Sequence, residues 1–499
     1  MSQNFRLNTG GLINRDKPIE FKFNGKKYIG YEGDTLASAL LANGIHLIGR
    51  SFKYHRPRGF FGAGVDEPNA KMQVEINGCS EPNINATEIE LVNGLSASSQ
   101  NCWPSVNFDI GAINNFLNRF FPAGFYYKTF MWPKSFWYRV YEPFIRKAAG
   151  LGIASLEKDK ERYEHKYEYC DLLVTGSGPA GLASAYAAAK NGAKVILAED
   201  KPRYGGTLLT DDVTIDNLSG KDWSEKIISE LKEMPNVIVK NRSQVFGYYD
   251  HNMMVMFERT GDHLEKKTKY TPRQRLWYIR AKEVLLSTGS IERPIVFGNN
   301  DTPGVFLSAA AKEYMKVYGV LIGKKPIIFT NNDSGYETAI EFKKNGVNPI
   351  VLDTREDQNS ELINEAKDLD IKIKFSYAVI VAHGYKKVKS ATIGKLDKDK
   401  IDFENTEQID CDSICVSGFW TPTVHLASQS GNKLKFNDTI DAFVPDKSKQ
   451  NEHSLGAANG TFTLQDTLKN SFNTGSEVSK NITKKDEKIQ IPNTNERIY

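Results

Sequence analysis

The sequence predicts an α/β protein with a small β-rich domain at its N-terminus and two tandem strand–turn–helix–strand folds behind it, the second nested in the first. Three observations predict it. Between residues 18 and about 95, short alternating apolar runs are separated by turn residues. From Tyr169 to about Gly460, strand-like and helix-like segments alternate, as they do where crossover helices cover a parallel sheet. Inside that stretch, one strand, turn, helix, strand order occurs twice.

Size and composition set the frame. A chain of 499 residues holds two to four domains at roughly 100–200 residues each. Its formal charge of +4 is too small for the concentrated basic face of a nucleic-acid binder. The polar start, MSQNFRLNTGGLINRDKP, has no apolar core and does not read as a secretory signal, and no apolar run reaches the roughly 18 residues of a membrane helix. The five cysteines, Cys79, Cys102, Cys170, Cys411 and Cys415, show no two-residue gap of a redox or zinc motif. They read as reduced, packed thiols, which fits a cytoplasmic protein without membrane or nucleic-acid partners.

Taken in order, PIEFKFNGKKYIGYEG reads as two strands joined by the turn Asn24-Gly25. GDTLASALLANGI reads as a helix capped by Asp34 or Thr35 and ended by Gly44, with the strand KMQVEI after it. These make a domain of residues 1–100. Residues 101–168 form a connector. Its run FLNRFFPAGFYYKTFMWPKSFWYRVYEPF is either a buried linker or a contact surface, and EKDKERYEHKYEY is a solvated charged stretch. Residues 169–320 and 410–465 form the first nucleotide-type fold, residues 321–409 the second, and residues 466–499 a polar tail with little packed structure.

The strongest signal is CDLLVTGSGPAGLASAYAAAKNGAKVILAED. A buried strand meets Gly176-Ser177-Gly178-Pro179-Ala180-Gly181, a helix of strong formers follows, and a second strand ends in Glu199 and Asp200. Gly176 permits a tight turn, Gly178 lets main chain approach a pyrophosphate, and Gly181 lets the helix lie close to the sheet. The helix start offers unpaired N–H groups to phosphates. Glu199 sits where a carboxylate accepts hydrogen bonds from an adenosine ribose, and it disfavours a 2′-phosphate. Gly205-Gly206-Thr207-Leu208, Val245, Thr288 with Gly289, and Gly456 complete the candidate cofactor site. No residue stands out as a catalytic acid or base. His55 and His425 read as structural, and Arg56 and Arg58 as a solvated or paired loop.

KPIIFTNNDSGYETAIEFKKNGVNPIVLDTRED repeats the pattern. Aligning the helices sets Gly181 on Gly335, Gly176 on Thr330 and Gly178 on Asn332, with Asp353 in the place of Glu199. A threonine and an asparagine at those positions obstruct a pyrophosphate, so this second copy is expected to hold no nucleotide.

Two nested nucleotide folds resemble the glutathione-reductase type of flavoprotein. The segments RSFKYHRPRGFFGAG, LLVTGSGPAGLASA, GGTLL, STGSIERPIVFGNNDTPGVF, FTNNDSGYETA and SGFWTPTVHL narrow this further. The chain resembles the alpha-subunit family of heterotetrameric sarcosine oxidases and their opine and proline dehydrogenase relatives. The resemblance implies an N-terminal ferredoxin-like β-grasp domain. In relatives that domain holds a [2Fe–2S] cluster on four cysteines, which GFFGAGVDEPNAKMQV lacks, so no cluster is expected. Disulfide reductases carry a redox cysteine where this chain has Leu208, and the closing flavin motif has Ala457 instead of an aspartate, favouring NAD over FAD. The resemblance further implies FMN at an interface with a beta subunit, FAD within that subunit, and gamma and delta subunits. Sarcosine or another secondary amine, with oxygen and water, then yields glycine, hydrogen peroxide and formaldehyde or methylenetetrahydrofolate. The family's folate-binding second half lies beyond this sequence, so folate use by this chain is not expected. The competing readings are a free-standing NADH-dependent flavoprotein reductase and a nucleotide-bound scaffold subunit.

Overall fold

Asn24 and Gly25 both take positive φ, 49° and 78°, and so turn the chain between antiparallel strands Asn14–Phe23 and Lys26–Glu32. Ile19, Phe21 and Phe23 alternate inward. Helix Leu36–Ala42 packs against strand Lys26–Glu32, is buried throughout, and is capped by Thr35 with Ser38 in a reciprocal capping box. The sheet continues through Ser96–Ser99 and Lys71–Ile76 to Cys79–Asn85. The computed structural model describes residues 3–76, 78–122, 124, 130–398, 400–487 and 489–496. Ala123 and residues 125–129 of the aromatic connector, and Lys488 and residues 497–499 of the predicted tail, lie outside the described residues.

The chain forms two units, one of Met1–Asp159 with Pro294–Gly418, the other of Lys160–Arg293 with Phe419–Tyr499. The first joins the β-grasp sheet to the nested fold, whose parallel sheet runs Val305–Leu307, Ser413–Ser417, Pro326–Thr330, Ile350–Asp353, Lys372–Phe375. The expected boundaries at 320 and 410 are corrected by this pairing. Val305–Leu307 bonds to Ser413–Ser417, which bonds to Pro326–Thr330, so the flanking segments belong to the nested fold. Arg6 ties the unit together through a buried ion pair with Asp34 (2.6 Å) and a bond to the Tyr318 carbonyl (2.8 Å). Arg56 clasps Asp301 with two bonds of 2.7 Å, and Arg58 joins the same carboxylate, so both arginines are paired.

The second unit is built on a seven-stranded sheet, in which Val237–Lys240, Val195–Ala198, Tyr163–Thr175, Gln274–Leu286, Met253–Arg259 and Ser243–Tyr249 follow one another. Glu452–Ser454 adds a parallel strand beside Gln274–Leu286. Two expectations fail here. The charged stretch YEHKYEY is solvated, as expected, but it is not a linker ahead of the domain. It is the first half of strand Tyr163–Thr175, paired in parallel with Gln274–Leu286 along its length. The polar tail is corrected too, because Leu464–Thr483 is a 20-residue helix. Leu464, Leu468, Phe472, Gly475 and Val478 line its buried side at helical spacing. Gly475 lets it lie close on helix Pro179–Lys190, since a Cβ there would stand 2.4 Å from the Ser184 carbonyl oxygen. Thr494–Asn495 then pairs with Thr214–Ile215.

Among the described residues no disulfide forms, no three His, Cys, Asp or Glu side chains gather as metal ligands, and no helix is long and apolar enough to cross a membrane.

Candidate functional site

Three glycines follow strand Tyr163–Thr175, and the structure separates their reasons. Gly176 has φ 94°, and a Cβ there would stand 2.3 Å from the Ser287 carbonyl oxygen. At Gly181 a Cβ would stand 1.8 Å from the Gly176 oxygen. Both are required by the fold itself. Gly178 has φ −65° and ψ −175°, open to any residue, and a Cβ there meets nothing within 4 Å. The fold does not need this glycine. The space over it, at the start of helix Pro179–Lys190, is open to a group approaching from outside. That start has no side-chain cap, so its amide groups face the same open space. Pro179 takes the first helical position, where its missing N–H costs nothing, and Ala180 packs beneath.

Glu199 follows the second strand and is buried. Its Oε2 accepts from the Ser177 amide (2.8 Å) and hydroxyl (2.6 Å), and its Oε1 from the Lys201 amide (3.0 Å). The Asp200 side chain bonds to the same carboxyl group, so Glu199 is held from several sides at the strand end. Burial, reinforced by the neighbouring Asp200 carboxylate, pushes the Glu199 carboxyl up to about 8.

The other predicted residues divide. Gly205 donates to the Ser177 carbonyl (3.1 Å), and Gly206 lies so close that a Cβ would stand 2.9 Å from the Gly178 Cα. Thr207 is exposed beside them. Leu208 is a buried member of the same hydrophobic core as Leu172 and Trp223. Val245 lies two residues beyond Ser243, whose amide donates to the Glu199 carbonyl (2.7 Å). The Thr288 hydroxyl donates to the Thr423 carbonyl (2.8 Å), and the Thr423 amide returns a bond to Gly289 (3.0 Å). Gly456, at φ 61°, abuts Ala180, where a Cβ would lie 2.9 Å from the alanine's own. Ser287 was not among the predicted residues. Its amide donates to the Thr175 carbonyl (2.9 Å), while its buried hydroxyl has no partner. An unsatisfied buried hydroxyl beside Gly176 and Gly181 fits a phosphate-bearing ligand. The diphosphate of an adenine dinucleotide is thus compatible with the residues present.

The nested fold keeps the outline and loses the cradle. Gly335 still approaches its strand end, with a Cβ position 2.7 Å from the Thr330 Cβ. The Thr330 hydroxyl donates to the Asn332 carbonyl (2.7 Å) and accepts from the Asn332 amide (3.1 Å). The Asn332 side chain accepts from the Ser334 amide (3.0 Å) and donates to the Ser417 carbonyl (3.1 Å). The amides a phosphate would use are consumed by side chains. Asp333 stands at the start of helix Ser334–Lys344 without a side-chain cap bond, adding a negative charge there, and Arg355 joins it (2.7 Å) to buried Asp353 (2.8 Å). Tyr336 also donates to Asp353 (2.8 Å). These residues do not fit a diphosphate.

The loop that would carry a cluster in the N-terminal domain is organised by Glu67. Its carboxylate accepts from the amides of Phe61 (2.6 Å), Gly62 (2.7 Å) and Asn69 (2.6 Å). Burial pushes this carboxyl up to about 7 against the pull of the three amides. Thr87 donates to the Gly64 carbonyl (2.7 Å). A carboxylate in the amide nest and only Cys79 and Cys102 nearby in sequence do not fit a four-thiolate cluster. His55 is held to Asp109 (2.7 Å) and serves the loop, not a ligand.

Comparison with known proteins follows this geometry. The family described as pyridine nucleotide-disulphide oxidoreductase matches residues 170–452, and the 2Fe-2S iron-sulfur cluster binding domain matches residues 16–102. The chain is 44% identical to sarcosine oxidase subunit alpha of Rhizobium meliloti (strain 1021) over 468 residues, 92% of this chain and 46% of that protein. It is 31% identical to the same subunit of Corynebacterium sp. (strain U-96), covering 92% of this chain and 43% of the relative. The chain therefore spans about half the length of these curated relatives. L-proline dehydrogenase from P. horikoshii shares the fold, with a TM-score of 0.65 at 20% identity over 96% of this chain and 76% of that one.

Proposed function

The chain belongs to the pyridine nucleotide-disulphide oxidoreductase family, and from that premise we propose that it is the nucleotide-holding subunit of an amine-oxidising flavoenzyme of sarcosine oxidase type. The observation that carries this reading is the likeness to sarcosine oxidase alpha subunits across both structural units, 92% of the chain. Leu208 supports it by removing the alternative chemistry of the wider family, because thiol–disulfide exchange needs a thiolate at that place.

In this reading NAD lies along Gly176–Gly181. The amides at the start of helix Pro179–Lys190 hold its diphosphate, Glu199 accepts from the adenosine ribose, and the Ser287 hydroxyl donates to a phosphate oxygen. A beta-type subunit carries FAD, FMN sits where that subunit meets this chain, and gamma and delta subunits complete the assembly. Bound flavin supplies the hydride acceptance and the delivery of electrons to oxygen. Sarcosine, oxygen and water would become glycine, formaldehyde and hydrogen peroxide, or methylenetetrahydrofolate where a folate-binding half is present. In this reading the complex works in the cytoplasm.

The test is co-expression with the FAD-bearing subunit, followed by measurement of sarcosine-dependent peroxide and formaldehyde. Extraction of nucleotides from the purified complex should yield NAD, FAD and FMN. A complex that turns over no secondary amine sinks the reading. An isolated chain that carries FAD and oxidises NADH would put the free-standing reductase in its place.

A further inference from the structure

Residues 59–69 form a loop whose main chain turns inward on one carboxylate. Glu67 is only 2% exposed. Its Oε2 accepts from the amides of Phe61 and Gly62 and its Oε1 from the amide of Asn69, at 2.6, 2.7 and 2.6 Å. Bonds this short are those of amides on a charged oxygen. Amides that converge on one point make a nest, and a nest selects an anion; phosphates and iron–sulfur clusters are its common occupants.

The surrounding bonds close the loop without a thiol. The Glu67 amide donates to the Gly64 carbonyl (3.2 Å), the Gly64 amide to Asp66 (3.2 Å), and the Thr87 hydroxyl to the same Gly64 carbonyl (2.7 Å). Cys79 opens the outer strand Cys79–Asn85, and Cys102 follows strand Ser96–Ser99. Among the described residues no three His, Cys, Asp or Glu side chains gather to hold a metal. The other side of the loop meets the nested fold within the same unit. The Phe61 carbonyl accepts from the Leu307 amide (2.8 Å), and the Gly62 carbonyl from the buried Tyr314 hydroxyl (3.0 Å). Gly59 lies so near that a Cβ would stand 2.8 Å from the Pro303 Cα. Phe61 and Gly62 therefore turn their amides to Glu67 and their carbonyls to the nested fold.

We propose that Glu67 is a built-in anion in the structural place of an iron–sulfur cluster, and that it converts a domain of electron-carrier outline into a docking element. The outline comes from the match to the 2Fe-2S cluster binding domain over residues 16–102. The chemistry departs from it, because a cluster needs thiolates and the loop offers a carboxylate, a hydroxyl and amides. By filling the nest, Glu67 fixes the peptide planes of Phe61 and Gly62, and so the angle at which their carbonyls reach Leu307 and Tyr314. A tethered carboxylate also outcompetes free anions, since the chain sets its effective concentration. The inference goes beyond the amine-oxidising role and depends on neither the dinucleotide nor a partner.

The experiment uses the full chain as wild type, Glu67→Gln and Glu67→Ala, each with and without sodium formate at constant ionic strength. Hydrogen exchange is read over residues 59–69 and 305–309. In Glu67→Ala both segments should exchange about 30-fold faster, because nest and dock loosen together. Formate should slow both again by entering the vacated nest, while wild type stays indifferent to it. Glu67→Gln should fall between, since its amide keeps one acceptor oxygen. Wild type incubated anaerobically with ferrous iron and sulfide should show no cluster absorbance. Wild-type exchange rates in Glu67→Ala, faster exchange that ignores formate, loosening confined to residues 59–69, or a cluster assembled on wild type would each overturn the inference. Should Glu67→Ala fail to fold, wild type decides. Its Phe61, Gly62 and Asn69 amides must exchange as slowly as those of strand Lys71–Ile76, and exchange at the rate of an exposed loop overturns the inference.

Discussion

Gly178→Ala separates the ligand's demand from the fold's. At φ −65° and ψ −175° alanine fits the backbone, and its methyl group meets nothing within 4 Å. Restricting the unfolded chain contributes about 0.4–1 kcal/mol of stability, and alanine is a poorer helix N-cap than glycine by a similar amount. The nucleotide-free protein should therefore melt within about 0.5 kcal/mol of wild type. A methyl group over the helix start displaces a diphosphate from its amides. Overpacking and lost hydrogen bonds together cost about 3 kcal/mol, roughly 100-fold in affinity. Gly181→Ala is the contrasting variant. Its methyl group would lie 1.8 Å from the Gly176 oxygen, so the fold itself must yield and the melting temperature falls. Calorimetric titration with NAD, paired with thermal melts, reads both quantities. If Gly178→Ala binds NAD within about threefold of wild type, the reasoning about that open space is wrong.

Glu199 gives a pH dependence. Its carboxyl, pushed up to about 8 in the nucleotide-free protein, accepts a ribose hydroxyl more strongly once ionised, so NAD affinity should rise with pH towards about 8 and then level off. Glu199→Gln should flatten that profile. The sign for stability is opposite: a carboxyl raised by folding stabilises most at low pH, and that contribution fades as pH climbs through 8. Glu67→Ala strands three amides, one buried and two part-buried, so the melt of the first unit should drop by about 2–3 kcal/mol, with NAD affinity unchanged. Arg355→Ala leaves Asp353 buried without its cation at a cost of about 3–5 kcal/mol, and NAD affinity should again hold if the proposed site lies wholly along Gly176–Gly181.

The site was legible where spacing encodes a close approach. Gly176, Gly181 and Gly335 stand where Cβ atoms collide, and the strand–turn–helix order announces them. Ser287 was harder, because an unpaired hydroxyl is a property of its surroundings and no local pattern signals it. The domain boundaries were misplaced because Val305–Leu307 and Ser413–Ser417 are distant in sequence and meet only through sheet pairing. The terminal helix hid behind serine, threonine and asparagine, although Leu464, Leu468, Phe472, Gly475 and Val478 carried its period. YEHKYEY is solvated as its charges indicate, and its strand character came only from pairing with the distant Gln274–Leu286.

Native mass spectrometry of the full chain with added NAD counts occupied sites directly. The account requires a single bound molecule per chain for wild type, with none on Gly178→Ala at the same concentration. A wild-type chain that takes up no adenine dinucleotide, or one that takes up two, contradicts it.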